Sequence, residues 1–152
     1  MKKLILAFFL LLSLFTANAQ FLIKFSSPAG NQNDFVNVKV ETDNFTKITA
    51  TQYSITYDSA VLELVDVVNK KVDYNVNVGD HRGGAANIKN GQLTFTWNSE
   101  TSDPVTFPNN TGLFEIRFKL IGKPCDSSFI RLANKPTSIE VLDENEEPIT
   151  VN

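Results

Sequence analysis

The stretch from Tyr53 to Val67, YSITYDSAVLELVDV, most constrains what this chain can fold into. In its first half, apolar residues alternate with small polar ones, a period of two that is typical of a half-buried β-strand. Asp58 and Ser59 then favour a turn, because short oxygen-bearing side chains bond nearby backbone amides. A second apolar run follows from Val61 to Val67. The stretch therefore predicts a strand, a short corner and a second strand, around which the other strands must pack.

Similar alternation recurs along the chain, with Gly, Pro and Asn between the segments. The predicted strands lie at 21–25, 36–40, 48–58, 61–67, 72–78, 93–97, 114–120, 129–132, 139–142 and 149–151. Asn90-Gly91 favours a hairpin turn before the strand at 93, because both residues accept positive φ. No window after residue 20 shows the 3.6-residue period of a helix. An all-β sandwich or barrel is therefore predicted.

The first 19 residues have the composition of a secretory signal peptide. Two lysines precede an apolar run from Leu4 to Phe15, and Ala17-Asn18-Ala19 fits a cleavage site that leaves Gln20 as the N-terminus. The apolar run is shorter than the roughly 20 residues of a membrane-spanning helix. We therefore expect an exported protein, periplasmic or extracellular, with a signal peptide at 1–19 and one domain at 20–152 that has no membrane span.

Charge and cysteine usage exclude several classes of function. Removal of the two lysines of the signal peptide would leave 12 basic and 17 acidic residues, a net charge of −5. An acidic domain with scattered lysines lacks the basic footprint of a nucleic-acid or anionic-membrane binder. Cys125 is the single cysteine, so no internal disulfide can form. It follows Gly-Lys-Pro and is expected to be a buried or inert thiol on a turn.

The polar segments do not converge on catalytic chemistry. Asp80, His81 and Arg82 form the most polar loop, for which a solvated loop is the first interpretation and a ligand-binding loop the second. The acidic run at 143–147 lacks the central glycine and ligand spacing of a calcium loop, so it is predicted to be a solvated turn. With no nucleophile, metal or paired-carboxylate pattern, we expect a protein that is not an enzyme and needs no cofactor or metal.

The single tryptophan is the first residue to consider as a sugar-binding platform. Trp97 shares its strand face with Leu93 and Phe95, so it is predicted to point into the core. Tyr74 and Phe107 are better candidates for exposed rings.

Small polar residues face outwards on the two central strands of the predicted sheet. They are Gln52, Ser54, Thr56, Thr94 and Thr96. If the two strands share a face, it would be flat and rich in hydroxyl groups, and such a face can dock a protein partner through a polar, water-tolerant interface. An ordinary solvated sheet is the simpler alternative.

Several of these segments together resemble cohesin domains. Residues 52–67 follow the pattern of the cohesin core. An aromatic and an aliphatic residue precede Tyr-Asp, and Val-Leu-Glu and a valine come after it. Segments 91–97, 112–120 and 139–143 are similar to later cohesin strands, in the same order. The resemblance covers most of 36–151 and implies a jelly-roll β-sandwich of about nine strands, related in fold to several carbohydrate-binding modules.

The resemblance also implies a function. Cohesins are non-catalytic and hold dockerin modules, which are small calcium-loaded helical domains. Their dockerin-facing sheet includes the strand that here carries Ala50, Gln52, Ser54 and Thr56, and Ala50 and Gln52 stand where well-studied cohesins of one class carry Asn and Asp. We therefore expect an exported adhesion or scaffolding module that docks a protein partner, dockerin-type or other. The alternative is a carbohydrate-binding module of the same fold with a polysaccharide ligand, which a row of exposed aromatic rings would favour.

Overall fold

A computed structural model describes residues 20–76 and 84–151. Within this part of the chain lie nine strands and one short helix, in the following order. They are β1 (Leu22–Phe25), β2 (Phe35–Asp43), β3 (Ile48–Thr56), β4 (Leu62–Val68), β5 (Asn75–Val76), α1 (Gly84–Lys89), β6 (Gln92–Asn98), β7 (Thr111–Leu120), β8 (Arg131–Ala133) and β9 (Glu140–Asp143). The all-β prediction is confirmed. The signal peptide predicted at 1–19 lies outside the described residues.

The strands form two antiparallel sheets that face each other. The first has the order β1-β2-β7-β4, and the second has the order β5-β6-β3-β8, with β9 also paired to β3. The chain passes repeatedly from one sheet to the other, as in a jelly-roll sandwich. The predicted sandwich is confirmed. Among the described residues, no helix is long and apolar enough to cross a membrane.

The core lies between the sheets because alternate residues of each strand point inwards. Tyr53 and Ile55 of β3 and Phe95 of β6 have no exposed surface. Phe95 stacks on Phe114 of β7, with 4.5 Å between the ring centroids and 15° between the ring planes. This stack joins the two sheets at the centre. The described residues thus contain a continuous apolar core.

One polar atom is buried in that core without a partner. The hydroxyl group of Tyr53 makes no hydrogen bond within the described part of the chain, and its ring lies 6.3 Å from that of Tyr74. Burial raises the pKa of this hydroxyl well above its ordinary value. A buried, unpaired hydroxyl costs free energy, because folding removes its hydrogen bonds to water.

We expect Tyr53→Phe to leave the free energy of unfolding unchanged or to raise it by up to about 1 kcal/mol, since only an unpaired hydroxyl is lost. The matched control is Tyr57→Phe. The Tyr57 hydroxyl donates to the Ile88 carbonyl at 3.1 Å, so this variant should lose about 1 kcal/mol. Urea unfolding of both variants measures the difference. A larger loss for Tyr53→Phe than for Tyr57→Phe would contradict the prediction.

The corner after β3 forms as predicted. One carboxylate oxygen of Asp58 accepts the Ala60 N–H at 2.8 Å, and its carbonyl accepts the N–H groups of Val61 and Leu62 at 3.1 and 2.9 Å. The strands on either side of the corner lie in opposite sheets, because β3 belongs to the second sheet and β4 to the first. The corner therefore carries the chain across the core.

The hairpin predicted at Asn90-Gly91 is wrong. These residues end the helix α1, where the Gly91 N–H donates to the Ile88 carbonyl at 3.0 Å and only Gly91 has positive φ, at 69°. The helix has six residues, too short to show a helical period in the sequence. Of the strand predicted at 72–78, the described part contains only β5, and residues 77–78 lie outside it.

Two smaller predictions also differ from the structure. At 149–151 there is no strand; Val151 forms a single parallel bridge with Phe21. Cys125 lies on a turn, as predicted, with φ of 73°, but it is exposed rather than buried.

The acidic run after β9 is the predicted solvated turn. One oxygen of Asp143 accepts the N–H groups of Asn145 and Glu147 at 2.8 and 3.1 Å. The bond from Glu147, followed by that from Asn145, lowers the pKa of Asp143. At the same end of the sandwich, the Lys24 ammonium group donates to Asp43 at 2.8 Å and lowers the pKa of that carboxyl group. Both carboxylates are therefore stabilised in the charged form.

We expect stability to fall as the pH drops below about 4, because protonation weakens both of these bonding patterns. A pKa that is lower in the folded state stabilises the fold above the unfolded-state pKa, and that contribution is lost as the pH falls through the folded-state pKa. Asp143→Asn and Asp43→Asn should each make the dependence on pH shallower in this range. Urea midpoints between about pH 2 and pH 6 measure it. Unchanged slopes in both variants would contradict the assignment.

Candidate docking face

The pairing of β3 with β6 decides whether the predicted polar residues share a face. Gln52 lies opposite Thr96, and Ser54 lies opposite Thr94. Tyr53 and Phe95, which alternate with them, point into the core. The five predicted residues therefore do lie on one side of the second sheet, its outer side. We call this side the outer face of β3 and β6.

Ser54 faces outwards but is covered by the chain itself. It has no exposed surface, because the segment 134–139 between β8 and β9 passes over it. The Ser54 hydroxyl donates to the Thr137 carbonyl and accepts the Thr137 N–H, both at 2.8 Å. Thr94, its neighbour on β6, is also buried, at 8% exposure. Ser54 thus holds a covering segment, and its burial keeps it from contact with a partner, in contrast to the open position expected from the sequence.

The remaining predicted residues are half-buried and reach the surface. The Gln52 amide donates to Glu140 of β9 at 2.9 Å, which fixes its orientation. Thr56 lies opposite Arg131 of β8 and donates to its carbonyl at 3.5 Å. Thr96 borders a depression that also contains the carboxylate residues Asp73 and Glu100. The accessible part of the outer face is thus a band of amide and hydroxyl groups.

The outer face of β3 and β6 is uncharged. Its residues are Ala50, Gln52, Ser54, Thr56, Gln92, Thr94, Thr96 and Asn98. Charged residues occur only beyond these two strands, as Arg131 on β8 and Glu140 on β9. Uncharged polar groups lose much less free energy than ions when water is removed, so this surface can be covered at modest cost.

The outer face of the other sheet has the opposite character. Opposite charges lie directly across neighbouring strands, an arrangement that stabilises a solvated sheet. These pairs are Lys24 with Glu41, Lys39 with Glu115, Glu63 with Lys119 and Asp66 with Arg117. Covering this face would require the removal of water from many ions, which is costly. Removing water from the outer face of β3 and β6 would therefore cost less free energy.

An exposed aromatic ring lies at one end of this face. Phe129 is 72% exposed, and the Arg131 guanidinium carbon lies 4.9 Å from its ring centroid. Both residues belong to the strand predicted at 129–132, and neither is among the predicted site residues. The available signal for this pair was an aromatic residue two positions before an arginine. The exposure of the Phe129 ring could not be inferred from local alternation.

The expected orientation of the other aromatic residues is partly confirmed. Trp97 points into the core, with 7% exposure, and packs between Phe45 and Tyr74. Tyr74 is not exposed but 2% accessible, and Phe107 packs on Phe45 with 4.8 Å between centroids. The prediction of an exposed ring is therefore wrong for Tyr74, whereas Phe107 is half-buried against the core.

The predicted ligand loop and metal chemistry add little here. Asp80, His81 and Arg82 lie outside the described residues. Within residues 20–76 and 84–151, no group of three or more His, Cys, Asp or Glu side chains is placed to hold a metal ion. The large pKa shifts belong to buried tyrosines, and burial alone raises the pKa of Tyr57 to about 12.

The fold is similar to those of solved cohesins. A cohesin from Clostridium acetobutylicum matches with a TM-score of 0.67 and 20% identity, over 89% of this chain and 87% of that one. The cohesin–dockerin complex of OlpA from Clostridium thermocellum matches with a TM-score of 0.68 and 16% identity, over 88% and 94%. A non-cellulosomal cohesin from the archaeon Archaeoglobus fulgidus matches with a TM-score of 0.64 and 18% identity, over 88% and 85%. At these identities the likeness shows the fold.

Sequence comparison gives the family. No curated protein matches the chain significantly. The model of the cohesin domain matches residues 22–149, which span β1 to β9. The chain therefore belongs to the cohesin domain family.

Proposed function

We propose that this chain is a non-catalytic docking module that binds a protein partner, dockerin-type or other, through the outer face of β3 and β6. The observation that carries the proposal is the contrast between the two outer faces. One is uncharged across two whole strands, whereas the other carries oppositely charged residues at neighbouring positions on adjacent strands. Depletion of charge is the compositional mark of the centre of a protein interface. Membership of the cohesin family supports the same assignment.

Within this face, different residues have different roles. Gln52, Thr56 and Thr96 are half-buried and offer amide and hydroxyl groups to a partner. Ser54 acts indirectly, because its two bonds to Thr137 hold the segment 134–139 in place. Thr94 lies between these groups and contributes packing rather than open polar contacts. The resulting interface is polar and would tolerate bridging water.

The proposal extends to two segments outside the described residues. We propose that residues 1–19 are a signal peptide, so that docking occurs outside the cytoplasm, in the periplasm or beyond the cell. The segment that contains Asp80, His81 and Arg82 follows in sequence after β5, which pairs with β6 opposite Thr96. It is therefore a candidate for additional contacts with the partner.

The test is capture of a partner on immobilised residues 20–152. Extracts of the organism that encodes the chain are applied with calcium and then with a chelator, with polysaccharide beads in parallel. A calcium-dependent protein that carries duplicated calcium loops would establish a dockerin-type partner. A calcium-independent protein would keep the docking role and reject the dockerin. Retention on polysaccharide alone would overturn the proposal in favour of a carbohydrate-binding module.

Substitutions locate the interface. Thr96→Arg places a long cation at the centre of the outer face of β3 and β6, and we expect it to weaken capture at least about tenfold. Asn37→Arg is the matched control, because Asn37 is an exposed, outward-facing polar residue in a strand of the opposite sheet. It should bind as the parent does. Equal capture by both variants would place the interface elsewhere.

A further inference from the structure

The exposed ring of Phe129 is not explained by the fold. It is the most exposed of the three large apolar side chains that the described residues leave in solvent, at 72% against 54% for Phe35 and 46% for Val65. An exposed phenylalanine contributes little to folding, because its apolar surface remains in water. Arg131 lies over it at 4.9 Å, in cation–π geometry.

This pair is fixed beside the outer face of β3 and β6. Phe129 and Arg131 line a shallow depression of about 350 Å³ together with Thr56 and Asp58. The Asp58 N–H donates to the Ser128 hydroxyl at 2.8 Å, which ties the segment carrying Phe129 to the corner after β3. Arg131 is held opposite Thr56 by the pairing of β8 with β3. The two side chains are therefore preorganised for contact with a partner, which reduces the entropic cost of binding.

The cation of this pair is available. Within the described part of the chain, the two ion pairs are Lys24 with Asp43 and Lys47 with Glu144, and neither involves Arg131. The neighbouring Asp58 uses one carboxylate oxygen to bind the Ala60 N–H. A guanidinium stacked on a ring still presents its N–H donors at the edge of its plane, in a fork that fits a carboxylate.

We propose that Phe129 and Arg131 anchor the partner and select one that presents a carboxylate beside an apolar side chain. The inference rests on the proposed docking function and names the chemistry of the partner. Aromatic and arginine residues dominate the energetic centres of protein interfaces. The carboxylate would bind the Arg131 fork, while the apolar group would cover the exposed face of the Phe129 ring.

The chain contains a chemically matched pair on the opposite sheet. Arg117 lies 5.0 Å from the ring centroid of Phe35, but it stands opposite Asp66 in the pairing of β4 with β7. It is surrounded by the charged pairs of that face. The Phe35 and Arg117 pair therefore serves as an internal control with the same residue types and geometry but a different setting.

The test uses nuclear magnetic resonance on isotopically labelled residues 20–152, which contain the described core. The probe is a blocked helical peptide with glutamate and leucine on one face, and its control carries lysine in place of glutamate. We expect the glutamate peptide to shift the amides of 127–133 saturably and to bind at least about fivefold more tightly than the lysine peptide. Arg131→Gln and Phe129→Ser should each abolish most of this binding, whereas Arg117→Gln and Phe35→Ser should not change it.

Other results would overturn the inference. These are equal binding of both peptides, shifts centred on Phe35 and Arg117, or no saturable shift at 127–133. Capture of the native partner separates this result from failure of the docking function. A partner lost with Thr96→Arg but retained with Phe129→Ser and Arg131→Gln would keep the docking face and reject the anchor. Peptide binding at the anchor without any captured protein would reject the docking function alone.

Discussion

Phe114→Ala is expected to lower the free energy of unfolding by about 3–5 kcal/mol, which is a large part of the stability of a domain this size. Phe114 is 1% exposed, stacks on Phe95 at 4.5 Å and meets the Tyr74 ring edge-on at 5.2 Å. Its removal would leave a cavity between the two sheets at their main aromatic contact. Urea unfolding followed by fluorescence of Trp97, the single tryptophan, measures the loss.

The control for this substitution is Phe35→Ala in the neighbouring strand β2. Phe35 is 54% exposed and lies outside the core, so the change should be within about 1 kcal/mol. Similar losses in the two variants would mean that the aromatic stack between the sheets does not determine stability.

Gly91→Ala is expected to destabilise the fold by about 3 kcal/mol or more. Gly91 has φ of 69°, which is unfavourable for residues with a side chain, and a Cβ atom there would lie 2.0 Å from the Tyr57 carbonyl oxygen. The Gly91 carbonyl also accepts the Tyr57 N–H at 2.9 Å, so the backbone cannot move away without losing this bond. Thermal unfolding gives the measurement.

Gly112→Ala supplies the comparison within the same chain. No atom lies within 4 Å of a Cβ at Gly112, and its φ is not in the left-handed region. This substitution should be neutral or slightly stabilising, because alanine restricts the unfolded chain more than glycine does. If both glycine variants unfold at the same temperature, the close approach to Tyr57 does not constrain the chain as described.

The sequence was sufficient to predict most of the strands and the side of each strand that points inwards. Tyr53, Ile55 and Trp97 lie in the core as their alternation indicated. It was not sufficient at Asn90-Gly91, where a strong hairpin signal also fits the end of a short helix. Both structures need a residue with positive φ, so the dipeptide cannot distinguish between them.

The candidate docking face was only partly predictable. Alternation along each strand predicts that Gln52, Thr56 and Thr96 point away from the core. Their meeting on one face depends on the pairing of β3 with β6, which places Gln52 opposite Thr96. The covering of Ser54 by Thr137 could not be inferred, because these residues are 83 positions apart and no local pattern connects them.

By itself, the sequence determined the all-β class, the strand–corner–strand unit and the cohesin resemblance. These depend on side-chain alternation and on turn chemistry, which act between residues a few positions apart. The tertiary structure alone decided which strands share a sheet, that Ser54 is buried, and that Phe129 and Arg131 lie exposed at the end of an uncharged face. The physical reason is that strand register and surface coverage arise from contacts between distant segments, whose energies a local pattern does not contain.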